Sequence, residues 1–90
     1  MEYDAELTIT YRHGKFFAAY LDLAEPKGEG RVKTKQLSDS VLLDIDPEGN
    51  PVGVEVLSRN DLNEVKLNRL LAPHGVKLTL PSEINTHNAA

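Results

Sequence analysis

Five residues in the stretch DIDPEGNPVGVE, residues 44–55, have the types and spacing of a calcium-binding loop. The carboxylates of Asp44, Asp46, Glu48 and Glu55, together with Gly49, nearly reproduce the D-x-[DN]-x-[DN]-G-x₅-E pattern of an EF-hand. An EF-hand loop lies between two helices and uses its glycine for the turn that gathers oxygen ligands around the ion. The interpretation therefore depends on whether helices or strands flank this stretch.

The flanking segments VLLDI and PVGVEVL favour strands, because both are rich in β-branched residues and alternate in polarity. Antiparallel pairing of the two segments brings six apolar side chains onto one face. The predicted opposite pairs are Val41 with Val56, Leu43 with Val54, and Ile45 with Val52. The connection is then the four-residue loop 47–50, in which proline and glycine suit a tight turn. A hairpin is therefore preferred over an EF-hand.

The preceding strand, RVKTKQL, supplies cations that match this acidic face. A two-residue turn at residues 38–39 sets Lys33 opposite Asp44 and Arg31 opposite Asp46. Exposed pairs of this kind contribute about 0.2–1 kcal/mol each. The candidate binding residues on this face are Asp44, Asp46, Glu55, Arg31 and Lys33.

Other catalytic and cofactor patterns are absent from the sequence. His13, His74 and His87 are scattered without metal-ligand spacing, and no cysteine is present. No G-x-S-x-G, G-x-G-x-x-G or Walker motif occurs. We therefore predict no catalytic residue, no metal ligand and no cofactor, and we expect a protein that is not an enzyme.

Composition predicts one small cytoplasmic domain. Ninety residues are expected to form a single domain over 1–81, with a flexible tail over 82–90. The net charge of −4 and pI near 5.2 argue against a nucleic-acid partner, because phosphate binding needs clustered cations. No apolar run approaches the ~18 residues of a membrane span, and no leader follows Met1. A membrane partner is therefore not expected.

The pattern along the chain predicts an α+β fold. Five segments with a period of two form an antiparallel β-meander: ELTITYR, KFFAAYLDL, RVKTKQL, SVLLDID and PVGVEVL. A C-terminal helix over 60–71, capped by Ser58, packs on one face of the sheet and stops before Ala72-Pro73-His74-Gly75. The segment VKLTLP is a short final strand.

These residues also carry a family resemblance. The residues concerned are Tyr11, Ala18, Tyr20, Leu21 and Leu23 in the first part, and Asp39, Val41, Leu43, Asp44, Asp46, Gly49, Val52, Gly53, Glu55 and Leu57 in the second. Residues 7–58 closely resemble the YuzE-like bacterial proteins, the domain of unknown function 2283. The resemblance implies the fold above and no activity. Members encoded beside small toxin-like proteins imply an antitoxin or partner-binding role.

Two functional hypotheses follow. The first is a non-enzymatic interaction module, either a homodimer or the partner of a small protein, that uses a strand edge or the apolar C-terminal stripe at Val76, Leu78 and Leu80. The second is a small-ligand or weak divalent-metal binding protein that uses the acidic strand face. The cations of RVKTKQL could hold an anionic partner, but lysines on an exposed strand more often discourage edge-to-edge aggregation.

Overall fold

The computed structural model describes residues 1–81, so the predicted tail at 82–90 lies outside the described residues. Seven strands and one α-helix are present in that part of the chain. They are β1 (Glu2–Asp4), β2 (Glu6–Arg12), β3 (Lys15–Asp22), β4 (Lys33–Gln36), β5 (Val41–Ile45), β6 (Pro51–Val56), α1 (Glu64–Leu71) and β7 (Lys77–Thr79). Short 3-10 turns at Arg59–Asp61 and Ala72–His74 flank the helix. The predicted α+β class, with a five-stranded antiparallel sheet and a C-terminal helix, is confirmed.

The order of the strands differs from a simple meander. The five-stranded sheet has the order β2-β3-β6-β5-β4, and all of its neighbours are antiparallel. The chain therefore crosses from β3 to the opposite edge, and β4, β5 and β6 then lead back to pair with β3. The connection between β3 and β4 contains one proline and two glycines, Pro26, Gly28 and Gly30.

The pairing of β5 with β6 follows the predicted register over most of its length. Val41 lies opposite Val56 and Leu43 opposite Val54, as expected. The ladder shifts after Asp44, so that Ile45 pairs with Pro51 instead of Val52. A β-bulge of this type ends the regular pairing just before the turn.

The predicted register of β4 was wrong by one residue. Thr34, not Lys33, lies opposite Asp44, and Lys33 lies opposite Ile45. The physical reason is the length of the turn: the Leu37 amide donates to the Val41 carbonyl (2.8 Å), which leaves three residues in the loop instead of two. A slip of one residue moves every side chain of a strand to the other face.

A second, two-stranded sheet was not predicted. β1 pairs in parallel with β7, with Tyr3 opposite Leu78. Only Ala5 separates β1 from β2, and its amide donates to the Thr79 carbonyl (3.1 Å). The final strand is thus confirmed, and its partner is the start of the chain.

The helix begins later than predicted. Asn63, not Ser58, caps α1, and its side chain accepts from the Lys66 amide (3.0 Å). Leu62 interrupts the helical backbone with a ψ of 71° and is buried in the core. The predicted stop is confirmed, because Gly75 takes the left-handed conformation directly after the 3-10 turn.

One buried cluster joins the sheet to the helix. Its residues are Ala5, Ala19, Leu21, Val41, Leu43, Val54, Val56, Leu62, Leu67, Leu71, Val76, Leu78 and Leu80. The C-terminal apolar stripe is part of this core and offers no free surface for a partner. Val65, on the helix, lies outside this core and is 66% exposed. Within residues 1–81, no helix is long and apolar enough to cross a membrane.

Candidate functional site: the acidic strand face

The carboxylate of Asp44 is held by two hydroxyl groups on the uncovered face of the sheet. The Tyr20 hydroxyl donates to Asp44 Oδ2 (2.7 Å), and the Thr34 hydroxyl donates to Oδ1 (2.7 Å). Tyr20 lies on β3, Asp44 on β5 and Thr34 on β4, so this carboxylate links three strands of the sheet. Neutral donors therefore occupy both oxygens where we had predicted Lys33.

Gly53 makes the contact between Tyr20 and Asp44 possible. Strand β6 lies between β3 and β5, and the tyrosine ring must cross it to reach Asp44. A Cβ atom at position 53 would overlap the Tyr20 hydroxyl and the adjacent ring carbons. Glycine inside a strand often marks such a close approach. The tyrosine and the glycine of the family pattern thus form one packing unit.

The environment of Tyr20 strongly disfavours ionisation of its phenol. Burial is the largest cause that raises the pKa of Tyr20 above its usual value of 10.0, because it penalises the phenolate. The hydrogen bond to Asp44 raises this pKa further, since the phenol acts as the donor. Asp44, Asp22 and Glu55 add repulsion by their negative charges. Tyr20 therefore stays protonated at neutral pH, where it acts as a hydrogen-bond donor to Asp44 and is unsuited to act as a general base.

Asp46 serves a different purpose from Asp44, because its carboxylate is buried among backbone amides. It is 3% exposed, and its Oδ1 accepts from the amides of Glu48 and Asn50 (both 2.9 Å). Its Oδ2 accepts from the Lys27 amide (2.9 Å) in the connection between β3 and β4. Asp46 thus fixes both the β5–β6 turn and the long crossover that passes beside it.

The crossover packs closely onto this turn. Gly28 has a φ of +91°, and a Cβ at this position would lie 3.0 Å from Glu48 Cγ and 3.3 Å from Pro47 Cβ. The conformation and the confined space both favour glycine here. Together with the Lys27 bond to Asp46, this packing anchors the crossover.

The pKa of Asp46 lies below its usual value of 3.8. Desolvation is the largest influence and acts to raise it, but the hydrogen bonds from Asn50, Lys27 and Glu48 to the ionised form outweigh that cost. The carboxylate therefore remains ionised at neutral pH, and no ion pair to it occurs among residues 1–81.

The remaining predicted site residues do not join these two aspartates in one cluster. Glu55 lies opposite Leu42 on β5 and opposite Tyr20 on β3. Lys33 lies opposite Ile45, and Arg31 precedes β4. The ion pairs found in the described part of the chain are Lys66–Asp61 (4.0 Å) and Lys77–Glu2 (3.5 Å), so the predicted pairing of Lys33 with Asp44 and of Arg31 with Asp46 is wrong.

The arrangement does not resemble a calcium loop. No group of three or more His, Asp or Glu side chains positioned for a metal ion occurs among residues 1–81. Asp44 and Asp46 direct their oxygens to different protein donors, as described above. The spacing of acidic residues that resembles an EF-hand belongs instead to a β-hairpin, β5–β6, whose turn is anchored by Asp46.

The tip of the first hairpin is a second candidate site, and its exposure was missed in the sequence. His13 and Gly14 form the two-residue turn between β2 and β3, both with positive φ. Beside it, the Arg12 guanidinium carbon lies 3.9 Å from the centroid of the Phe17 ring. Tyr11 is 60% exposed and Phe17 is 45% exposed. The alternation of the sequence did not reveal this exposure, because Phe17 forms a β-bulge. The register passes from Thr10–Ala18 to Tyr11–Phe16, and Phe17 has no partner residue on β2.

Comparison with known families supports the resemblance seen in the sequence. Residues 18–58 match the family described as "Protein of unknown function (DUF2283)". This segment belongs to DUF2283. No curated protein and no solved structure matches the chain significantly.

The DUF2283 segment contains the complete acidic strand face. It runs from the middle of β3 to just beyond the end of β6 and includes Tyr20, Asp44, Asp46 and Gly53. The helix and the β1–β7 pair lie outside it. The packing of Tyr20 over Gly53 and the anchoring by Asp46 therefore belong to the matched part of the fold.

Proposed function

We propose that this chain is a cytoplasmic, non-enzymatic protein-interaction module that acts through its first hairpin, β2–β3. The observation that carries the proposal is the exposed group Tyr11, Arg12 and Phe17 beside the hairpin turn. Tyrosine and arginine are among the residue types that contribute most to protein interfaces, and stacking on an aromatic ring orders the arginine before binding. The partner is either a second copy or a small protein, as for an antitoxin.

The arrangement of the polar residues gives further support. Asp44 and Asp46 have structural partners, and the Tyr20 phenol is held in its neutral form. A ligand or metal site on the acidic face would have to displace these bonds. The alternative function therefore has less support than the interaction module.

The test compares the wild-type chain with a Tyr11→Ser/Phe17→Ser double variant. Light scattering after size exclusion measures self-association, and affinity capture from the source lysate measures binding to other proteins. We expect the double variant to lose the complex while it keeps the wild-type circular dichroism spectrum. Val65→Ser is the matched control, because it removes an equally exposed apolar side chain from the helix. A wild-type chain that is strictly monomeric and captures no specific protein contradicts the proposal.

A further inference from the structure

We propose that two copies of this chain pair through their β2 strands, antiparallel and centred on Ile9, to form one continuous ten-stranded sheet. This inference rests on the proposed function and identifies the partner as a second copy. The first observation is that β2 is a long edge strand. It has seven residues and pairs only with β3 among the described strands of its sheet.

The two edges of the sheet differ in their protection against strand pairing. β4 has only four residues, and Lys33 and Lys35 lie opposite Ile45 and Leu43, on the same face as the core residue Leu43. Lysines in this position are a known means of preventing edge-to-edge association. β2 has no proline and no lysine, and its own backbone contains no extra residue. The unprotected edge of the sheet is therefore β2.

The charges at the ends of β2 are poorly matched to β3 within one chain. Glu6 lies directly opposite Asp22, and Arg12 lies directly opposite Lys15. Like charges opposite each other destabilise an antiparallel pair. The hairpin therefore has two unfavourable pairs, one at each end.

The same charges are complementary between two copies of β2. Antiparallel pairing centred on Ile9 sets Glu6 opposite Arg12 of the second copy, and the two-fold axis repeats this pair. The register also sets Leu7 opposite Tyr11 and Thr8 opposite Thr10 of the second copy. The sequence ELTITYR thus matches apolar with apolar, hydroxyl with hydroxyl and acid with base.

Other registers lose this match. A shift by one residue sets apolar positions opposite polar ones, because alternate residues face opposite sides of a sheet. A shift by two residues keeps the faces but separates Glu6 from Arg12. The register centred on Ile9 also pairs all seven residues of β2.

Side-chain exposure agrees with a contact along this edge. Leu7 and Ile9 pack against the core but are only partly buried, and Tyr11 is mostly exposed. All three lie along one side of β2, and a second copy would cover them. Burial of partly exposed apolar side chains is the main source of favourable free energy in association.

The test exchanges the charges at the ends of β2. We expect the wild-type chain to dimerise in sedimentation equilibrium, and Glu6→Arg or Arg12→Glu alone to weaken the dimer about tenfold or more, because each affects both symmetry-related pairs. The double exchange Glu6→Arg/Arg12→Glu restores the opposite charges and is expected to dimerise more tightly than either single exchange, although it lacks the stacking of Arg12 on Phe17. Each single exchange also removes one like-charge pair from the hairpin, so loss of folding does not explain a weaker dimer.

A cysteine at the centre of the interface gives a second measurement. The chain has no cysteine, so Ile9→Cys introduces a single thiol, which would face its own copy across the two-fold axis. We expect mild oxidation to cross-link this variant and to leave the matched edge variant Lys35→Cys mainly monomeric.

The outcomes separate this inference from the proposed function. A dimer that is insensitive to both single exchanges forms through another surface and overturns the β2 pairing. A monomer that captures another protein through Tyr11 and Phe17 also overturns it but leaves the interaction module intact. A monomer that captures nothing contradicts both.

Discussion

The ring of Tyr20 occupies the space in which any residue larger than glycine at position 53 would place its Cβ atom. Gly53 is therefore required by a neighbouring strand, because its own backbone is not in the left-handed conformation. The tyrosine crosses β6 at this point and reaches Asp44 on the far side. One aromatic side chain thus ties β3 to β5 across the strand between them.

Gly53→Ala is expected to destabilise the fold by about 1–3 kcal/mol, the usual range for overpacking a well-packed site. Chemical denaturation of the wild type and the variant measures this loss. The decisive comparison uses Tyr20→Leu as the background, since leucine lacks the distal ring atoms that Cβ would overlap. We expect Gly53→Ala to cost much less there, and an equal cost in both backgrounds would contradict the packing explanation.

Removal of the Asp44 charge is expected to lower the pKa of Tyr20 only in part. Burial is the largest cause of the raised value and remains in Asp44→Asn, whereas the charge of Asp44 is lost. A titration followed by the NMR signal of the Tyr20 ring carbons measures this change. Because the pKa of Tyr20 is raised in the folded state, the neutral phenol contributes stability at pH values below its ordinary pKa of 10.0. This contribution is lost as the pH rises towards the folded-state pKa. A complete return to the ordinary value in Asp44→Asn would show that burial has no effect.

Asp46→Asn is expected to lower stability at neutral pH and to remove part of the acid sensitivity. An asparagine amide can keep one oxygen as an acceptor, but its NH₂ group would face the donating amide of Lys27 or those of the turn. Because the pKa of Asp46 is lowered in the folded state, its carboxylate contributes stability at pH values above the ordinary pKa of 3.8. This contribution is lost as the pH falls towards the folded-state pKa. Denaturation at several acidic pH values should therefore show the wild type approaching the variant. A constant difference at every pH would contradict the role of the ionised carboxylate.

Asn68 is expected to stabilise β7, because its side chain bonds the strand backbone as a neighbouring strand would. Its side chain donates to the Leu78 carbonyl (2.9 Å) and accepts from the Leu78 amide (2.8 Å). Asn68→Leu leaves both backbone groups without this partner, and we expect a loss of about 1–3 kcal/mol in the free energy of unfolding. The neighbouring exposed residue provides the control: Arg69→Ala should change stability by no more than about 0.5 kcal/mol.

Calcium or magnesium is expected to leave the amide signals of Asp44, Asp46 and Glu55 unchanged throughout the millimolar range. The oxygens of both aspartates already accept hydrogen bonds from the protein, and a metal ion would have to replace them. Saturable shifts at all three residues would favour the ligand-binding alternative over the interaction module.

Local sequence patterns predicted the strands well but not the register of β4. The segment ELTITYR coincides with β2, and the face matching of β5 with β6 was correct as far as Asp44. For β4, the predicted register relied on charge pairs worth only about 0.2–1 kcal/mol each. The turn of three residues before Val41 determined the register instead.

The hydrogen-bond partners of the acidic residues depend on tertiary contacts, which the alternation of polar and apolar residues in the sequence does not reveal. The Lys27 amide reaches Asp46 only because the crossover passes beside the turn. Two signals were nevertheless available in the sequence. A glycine inside a strand indicated the close approach at Gly53, and an aspartate before Pro-Glu-Gly-Asn indicated a side chain that bonds its own turn.

The charges around Asp46 are arranged in the opposite way to those of a calcium-binding loop. In an EF-hand, oxygen atoms converge on a cation that must arrive from solution. Around Asp46, amide hydrogens converge on an anion that is covalently part of the chain. The central charge is present as soon as the polypeptide is made, so closure of this loop is independent of the supply of dissolved ions.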